Sequence, residues 1–507
     1  MNNTFSKVLD VLLKIMFVTG FLIFFCANVF HYTARMDGDV AGEAILAKEI
    51  SDNNLRTPDS WFISTEERVI YPANLGAIIY HFSGNLNVSM GLACSVCGLL
   101  IIISMIALYR KVGMSSIAAW CAAFIPFVLT LNVHDALEMY ILYAGYYFPV
   151  LFAFYIYGIF HADFIEGRIP VFNLIISVVL SIVQGMQGMR GLLMVFLPYT
   201  CVEILRTLII LIKKKKCQLK ELFPLFWCCF LVVISYISGK FLSEGVSSTS
   251  RNLRNGPAKL VNEVIPSIFD LFDTNGNLVY LLVVVAVCLI AVCFSVYVFI
   301  KKMPQKSAFF WASHWMSLFA MVTAMAFTTF DVSSRYSVFL FFAVGMSVGI
   351  TLDNMESQMV LRNIFLAIII SCTVFSSSSV YMNLIKNDNS KDSVYVKIVD
   401  WMVENNVHRG YSTMDYAGII TLAGNGKTEV CQIDMTNLCA IKWLSSADWY
   451  PPNSDAGERV AIITTDNTDE SFLKYIDENN LSGIIETSTD MQKFHCYILQ
   501  ENPVRLD

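Results

Sequence analysis

The apolar positions of this chain fall into long, nearly continuous runs, without the alternation or one-sided helical spacing of a soluble core. Runs of about 18 residues or more have only lipid to face. Eleven stretches of span character can be read, at 8–30, 89–109, 114–131, 143–160, 171–184, 191–212, 224–241, 278–300, 308–329, 336–352 and 364–385. The polar intervals are uneven: 31–88 and 242–277 are long, 132–142 and 185–190 short. After Ile385 the pattern changes. "SVYVKIVDWMVENN" has helical spacing, "GIITLAG" and "RVAIITTD" read as strands, "DESFLKYIDENN" as a helix and "FHCYILQ" as a strand. The expected fold is a polytopic α-helical membrane module over 1–385, with about 11 transmembrane helices, followed by an extracytoplasmic α/β domain over 386–507. The polar segment "KNDNSKDS" joins them with the composition of a linker.

Charge orients this arrangement. Lys7, Arg110, Lys111, Arg168, Lys213 to Lys216, Lys301, Lys302 and Lys306 all fall in alternate intervals. Cationic loops stay cytoplasmic during insertion, so the N terminus is expected inside, and the long loops and the tail outside. The first span lacks a small-residue cleavage site and reads as an anchor. With 56% hydrophobic and 15% charged residues the chain is a membrane protein, and the net charge of -6 adds little because each loop's own sign is what matters. The few ionisable residues of the spans, such as Glu203 and Lys240, lie near their ends, which disfavours a transporter driven by ions at mid-depth. The absence of a Walker-type loop disfavours ATP-driven transport, and no cationic, aromatic-rich face suits nucleic acid. Most of the 14 cysteines lie in or beside spans as packing residues. Cys431 and Cys439 differ, since on an oxidising side they could form a disulfide.

Polar chemistry therefore concentrates on the outer side. "ARMDGDVAGEAILAKEI" places Asp37, Asp39 and Glu43 directly after the first span. Asp39 is placed to cap a helix starting at Val40, with Glu43 one turn on. A carboxylate at the exit from the bilayer can also serve as a general base toward an acceptor hydroxyl. Arg190 in "GMQGMRG", between flexible glycines, and Arg335 in "FDVSSRYSVF", beside Tyr336, are outer cations whose planar fork suits a phosphate. Arg335 could equally pair with Asp331. Glu66, Glu67 and Arg68 occupy a loop expected to fold over the site, and Trp61 and Phe62 could stack on a sugar, although an interfacial Trp without that role is as common. Arg251 and Arg254 read as solvated loop charges. His134 and Glu138 would share a helical face near Asp135, but two ligands do not make a metal site, which leaves His134 as a candidate for substrate contact. In the tail, Trp443, Trp449 and Tyr450 could present aromatic surface to sugars or fill the domain's core.

"DVAGEAILAKEI", Asp39 to Ile50, resembles the D-E-x-R-Y-A-x-x-A-R-E-M stretch that follows the first span in bacterial lipid-linked sugar transferases of the GT-C class. Asp39 falls on that motif's catalytic Asp, Ala44 and Ala47 on its alanines, Lys48 on its Arg, Glu49 on its Glu and Ile50 on its Met. The chain departs at Val40, Gly42 and Glu43, and Asp37 is placed to replace the acid missing at Val40. "WFISTEERVIYP", "VQGMQGMRGLL" and "VHRGYSTMDYAG" are similar to segments of GT-C-like proteins of this size, including those that decorate O-antigen with glucose. The long outer loops after the first and seventh spans and the outer domain after the last match the layout of that class.

The resemblance implies an inverting enzyme of the bacterial inner membrane that moves a hexose, glucose by preference, from undecaprenyl phosphate to O-antigen or another surface glycan on the periplasmic face. Its partners would be the polyprenyl-linked donor, a glycan acceptor and membrane lipids. No cofactor is implied, and a divalent cation at the donor phosphate is left open. A lipid-linked-sugar flippase or transporter and a noncatalytic envelope assembly protein are the alternatives at this stage.

Overall fold

The computed structural model describes residues 2–30, 38–64, 66–129, 147–214, 218–242, 255–271, a few turns within 285–296, 305–355, 358, 360–371, 393–450 and 458–506. Among these residues seven helices are long and apolar enough to cross a membrane. They match expected spans: α1 (Asn2–Phe30), α4 (Leu86–Lys111), α6 (Phe148–Ile165), α8 (Leu197–Lys214, entered through a π turn at Leu192–Phe196), α9 (Leu219–Leu242), α10 (Gln305–Phe327) and α11 (Phe339–Asn354). The expected spans at 114–131 and 171–184 are the shorter helices α5 (Ser116–Leu129) and α7 (Val171–Met186). The stretch 278–300 lies largely outside the described residues, and 364–385 is described only through helix α12 (Val360–Ser371).

The two ends of α4 show how polarity is divided. At about 1.5 Å per residue its 26 residues span about 39 Å, enough to cross a bilayer. Its C-terminal end carries Lys111, 2.6 Å from Asp163, which also holds Arg168 at 2.6 Å. Nearby, Lys306 pairs with Glu166, and the fully buried Glu203 receives Arg206 at 2.7 Å and His161 at 2.8 Å. Among the described residues Lys111, Arg168, Arg206 and Lys306 thus gather at one end, tied to acids. At the other end Asn85 caps α4 through the Val88 N–H at 3.0 Å, Asn87 donates to the Leu422 carbonyl at 2.9 Å, and the Leu86 N–H donates to Asn425 at 2.8 Å. The C-terminal domain is therefore docked on the end of the bundle remote from the basic cluster.

Small residues allow the tightest packing inside the bundle. A Cβ on Gly345 would lie 2.4 Å from the Ala122 carbonyl oxygen, and one on Gly349 2.8 Å from the Ala122 Cβ, so α11 and α5 meet backbone to backbone. That contact buries α11 and fixes the 3-10 turn Ser334–Ser337 at its start, which carries Arg335.

In the C-terminal region a six-stranded sheet has the order β4-β3-β2-β6-β8-β7. The strands β2 (Arg409–Ser412), β3 (Glu429–Asp434) and β6 (Val460–Thr465) run parallel, while β4 (Cys439–Ala440), β7 (Ile485–Met491) and β8 (Phe494–Leu499) are antiparallel to their neighbours. Period-2 alternation sends Ala461, Ile463 and Ile498 to one face, where α13 (Val394–Glu404) packs, and Tyr411, Ile462 and Leu499 to the other. That second face shares one core with Ile45, Ala73 and Met90 of the first outer loop and α4. "GIITLAG", expected as a strand, is instead the end of helix α14 (Met414–Ala423). Ala417, Ile419, Ile420, Thr421 and Leu422 are all buried between the sheet and the outer loop, so the run is apolar on every side and carries no period. The Cys431–Cys439 bridge does not form: the register sets Cys439 opposite Asp434, and the Cys431 thiol is free and buried.

Candidate functional site

The first outer loop folds into helices α2 (Gly38–Asp52) and α3 (Pro72–Ser83), joined by a segment that contains β1 (Trp61–Phe62). Helix α2 begins slightly before the expected start, so Asp39 stands in its first turn, where a carboxylate complements the dipole. Helix α2 is clamped by the C-terminal domain. A Cβ on Gly38 would lie 2.6 Å from the Met414 carbonyl, and one on Gly418 3.0 Å from the Ala41 Cβ. The far end of the motif serves the same docking: Lys48 lies 2.9 Å from Asp52 and 3.7 Å from Glu429 of β3.

Asp39 lines a polar cavity of about 130 Å³ with Ser64, Arg68, Tyr147, Arg190, Asp331, Arg335, Tyr336, Trp443 and Leu444. At about 30 Å³ per water, that is room for about four waters. Three guanidinium groups stand on it in different states. Arg68 is locked: its Nε donates to Glu43 at 2.6 Å, its Nη1 to the Glu66 carbonyl at 2.6 Å and its Nη2 to Ser64 at 3.1 Å, and it covers the Tyr71 ring at 4.6 Å. Arg190 Nε lies 2.9 Å from Glu66 Oε1, with the guanidinium 5.6 Å from the Tyr336 ring centre and 5.9 Å from that of Tyr147. Burial pushes the Tyr71 phenol up, so it stays protonated and donates to Glu66 Oε2 at 3.2 Å. Arg335 Nη1 is 3.9 Å from Asp39 Oδ2, within ion-pair range and beyond a hydrogen bond, and both side chains keep about a third of their exposure.

The cavity adjoins a second space of about 680 Å³, an apolar groove walled by Leu193, Leu197, Met316, Phe319, Phe327 and their neighbours. Arg190, Asp331 and Tyr336 line both. Lys259, from the second long outer loop, fastens the mouth of the groove by donating to the carbonyls of Phe330 at 2.7 Å and Thr328 at 3.1 Å.

Several expected site residues converge here: Asp39, Arg68, Arg190, Arg335 and Tyr336 share the cavity wall. Others do not. Glu43 is fully buried and serves as the counter-ion of Arg68, so it holds the loop against α2 and does not face the cavity. Trp61 is buried edge-on against Trp449 at 5.8 Å, where β1 pairs with β5 (Ser445–Ser446), and Trp449 and Tyr450 are core residues too. The glycines around Arg190 are packing devices, not flexible links: Gly188 has φ +95° and approaches Glu66, and a Cβ on Gly191 would meet the Gln184 amide oxygen at 2.5 Å. Asp37, His134, Asp135, Glu138, Arg251 and Arg254 lie outside the described residues. Among the described residues no three His, Cys, Asp or Glu side chains gather as a metal site. Arg335 stands closest to Asp39, not to Asp331, among the ion pairs of the described residues.

Ser64, Tyr147 and the groove were not legible. Tyr147 is one of four tyrosines in "YILYAGYY", a run that looks like an ordinary interfacial belt. The groove consists of apolar side chains that any span would carry.

Because Arg68 is itself buried, removal of its carboxylate leaves an uncompensated charge. Glu43→Ala should destabilise the purified protein by about 3–5 kcal/mol, seen as a fall of several degrees in the thermal unfolding midpoint, and Glu43→Asp by less. An unchanged midpoint would contradict the locking role.

No family model and no curated protein sequence matches the chain at a significant level. Solved structures do. The chain is similar to the crystal structure of ArnT from Cupriavidus metallidurans bound to undecaprenyl phosphate, with TM-score 0.57 and 10% identity over 96% of this chain and 97% of that one. It is also similar to the apo state of the same protein, with TM-score 0.51 and 10% identity over 98% of each chain. The likeness spans the membrane module and the C-terminal domain alike. It establishes the fold as the one these structures share, a multi-pass helical membrane module followed by a soluble α/β domain.

Proposed function

We propose that this chain is a membrane glycosyltransferase of the GT-C class that takes a hexose, glucose by preference, from undecaprenyl phosphate and passes it to O-antigen or another surface glycan at the periplasmic face of a bacterial inner membrane. One observation carries the reading: a small polar cavity with a carboxylate and guanidinium groups adjoins an apolar groove, with Arg190, Asp331 and Tyr336 lining both. A polyprenyl phosphate has those two parts in that order. ArnT, whose fold this chain shares, has been crystallised with undecaprenyl phosphate.

In this reading the polyprenyl chain lies in the groove and its phosphate meets Arg190 and Arg335 at the junction. The acceptor hydroxyl attacks the anomeric carbon from the opposite side, which inverts the configuration. Its oxygen forms the new glycosidic bond while its proton passes to an Asp39 oxygen. The bond between the anomeric carbon and the phosphate oxygen breaks, and its electron pair leaves with undecaprenyl phosphate. The charge that develops there faces guanidinium groups held in place by Glu66 and by aromatic rings, and groups positioned in advance need no reorganisation in the transition state. Arrival of the phosphate also gives Arg335 a second anion to bind, which loosens its hold on Asp39 when the base is needed. The C-terminal domain would hold a polymeric acceptor, and the basic end of the bundle would face the cytoplasm, as would the N terminus.

The test uses the full chain in lipid nanodiscs. Saturable binding of undecaprenyl phosphate, with release of labelled sugar from its glycosylated form to an envelope glycan acceptor, is the expected result. Absence of binding removes the donor assignment. Lipid translocation without transfer points to a flippase.

A further inference from the structure

With room for about four waters, the polar cavity suits a phosphate group of about five non-hydrogen atoms. It does not suit a glycosyl phosphate, to which a hexose adds about eleven more. A wall must therefore yield when the glycosylated donor enters. On the membrane side the walls are fastened: Arg68 is locked by Glu43, Ser64 and the Glu66 carbonyl, Arg190 is held by Glu66, and Tyr336 belongs to the turn at the start of α11. Two residues of the C-terminal domain complete the wall, Trp443 and Leu444, in the short loop between β4 and β5.

This loop is unfavourably placed at both residues. Leu444 has φ 46°, in the left-handed region that a residue with a side chain seldom enters and that recurs at clamps and switch segments. Trp443 Nε1 is buried with no hydrogen-bond partner among the described residues, although a buried indole N–H ordinarily has one. One contact opposes these costs. The Cβ and Cδ1 of Leu444 would each stand 3.1 Å from a Cβ at Gly42, so the leucine fills the notch that glycine leaves in α2. Both ends of the loop are anchored, by the Ile441 N–H donating to the Gln432 carbonyl at 3.1 Å and by Ser446 of β5 pairing with Trp61 of β1. Between them Lys442 is exposed, so the loop has solvent on one side. Trp443 and Leu444 also line a second, smaller gap with Gly38, Gly42 and Trp449, and thus stand as a partition between two spaces. Withdrawal of Leu444 from the notch would relax its backbone, let water reach the indole N–H and join the two spaces.

We propose that Trp443 and Leu444 form a latch: seated in the Gly42 notch it closes the cavity to the size of a bare phosphate, and it unseats to admit the glycosylated donor. The inference rests on the donor assignment made above, and it adds how the same site passes from the loaded lipid to the spent one.

The double variant Gly42→Cys, Leu444→Cys can lock the latch, since a disulfide joins Cβ atoms about 3.5–4.5 Å apart and the notch already brings these positions to 3.1 Å. Binding of bare undecaprenyl phosphate and of undecaprenyl phosphate carrying glucose, galactose or mannose is measured for the full chain in lipid nanodiscs, oxidised and then reduced, with each single cysteine variant as control. The oxidised double variant should bind the bare lipid within about twofold of the unmodified chain and the preferred glycosylated lipid at least about tenfold more weakly, with recovery on reduction. Leu444→Ala, which empties the notch without a cross-link, should raise affinity for the glycosylated lipid about threefold or more, because the open fraction grows, and leave the bare lipid within about twofold. An oxidised chain that binds the glycosylated lipid as well as the reduced one overturns the inference. So does equal loss toward both lipids, which means a distorted cavity, or weaker binding of the glycosylated lipid by Leu444→Ala. Should the unmodified chain bind no undecaprenyl phosphate, the donor assignment itself fails, and this inference with it.

Discussion

Asp39→Asn should reduce sugar transfer by about 10²–10⁴-fold while leaving undecaprenyl phosphate bound as tightly as before or more tightly. The amide keeps the shape of the carboxylate in the first turn of α2 and removes the only property a base requires, so the loss belongs to the proton-transfer step, for which positioned bases contribute about that factor. The lipid result follows from charge. Among the described residues Asp39 is the acid paired with Arg335, at 3.9 Å, and with the amide in its place the guanidinium has one anion fewer to satisfy. A variant that merely disturbed α2 would lose lipid binding as well, because Gly38 and Gly42 of that helix carry contacts of the C-terminal domain. Transfer at the normal rate by Asp39→Asn would move the base to another group and remove the present assignment.

How far the sequence discloses this site can be argued residue by residue. Asp39, Arg190 and Arg335 were legible because a charge at the edge of a span is expensive and therefore conspicuous. Arg68 was found for its place in a loop, although its partners were not. What the sequence hid is pairing across distance: Glu43 and Arg68 are separated by 25 positions and Arg190 and Glu66 by over a hundred, and no local period links them. Glu43 looked chemically equal to Asp39 for this reason. Only its complete burial shows that one acid of the stretch is structural while the other borders a cavity. Trp61 and Trp443 show the same ambiguity in apolar form, since an aromatic ring reads alike whether it fills a core or lines a cavity. The strands "RVAIITTD" and "FHCYILQ" and the helix "DESFLKYIDENN" were legible from their periods. "GIITLAG" was not, because burial on all sides erases periodicity.

Arg335→Ala should cost about 10²–10³-fold in turnover and about tenfold or more in affinity for undecaprenyl phosphate, with Arg335→Lys between it and the unmodified chain. The first figure is the usual loss when one donor to a developing oxyanion is removed, the second the worth of a charge-assisted hydrogen bond. Lysine keeps the charge but not the planar fork, so it should restore binding better than turnover. Two explanations of such a loss must be separated. Arg335 either meets the phosphate or serves only to orient Asp39, and the 3.9 Å separation permits both. The double variant Asp39→Asn, Arg335→Ala decides between them. If the guanidinium acts through Asp39 alone, its removal changes nothing further once the carboxylate is gone, and lipid affinity stays at the level of Asp39→Asn. If it meets the phosphate, the affinity falls as far in the double variant as in the single one, because the lost partner is the ligand and not the acid. The groove geometry favours the second outcome: Tyr336, adjacent to Arg335 in the same 3-10 turn, lines both the apolar groove and the polar cavity, so the turn stands where the lipid's chain ends and its phosphate begins.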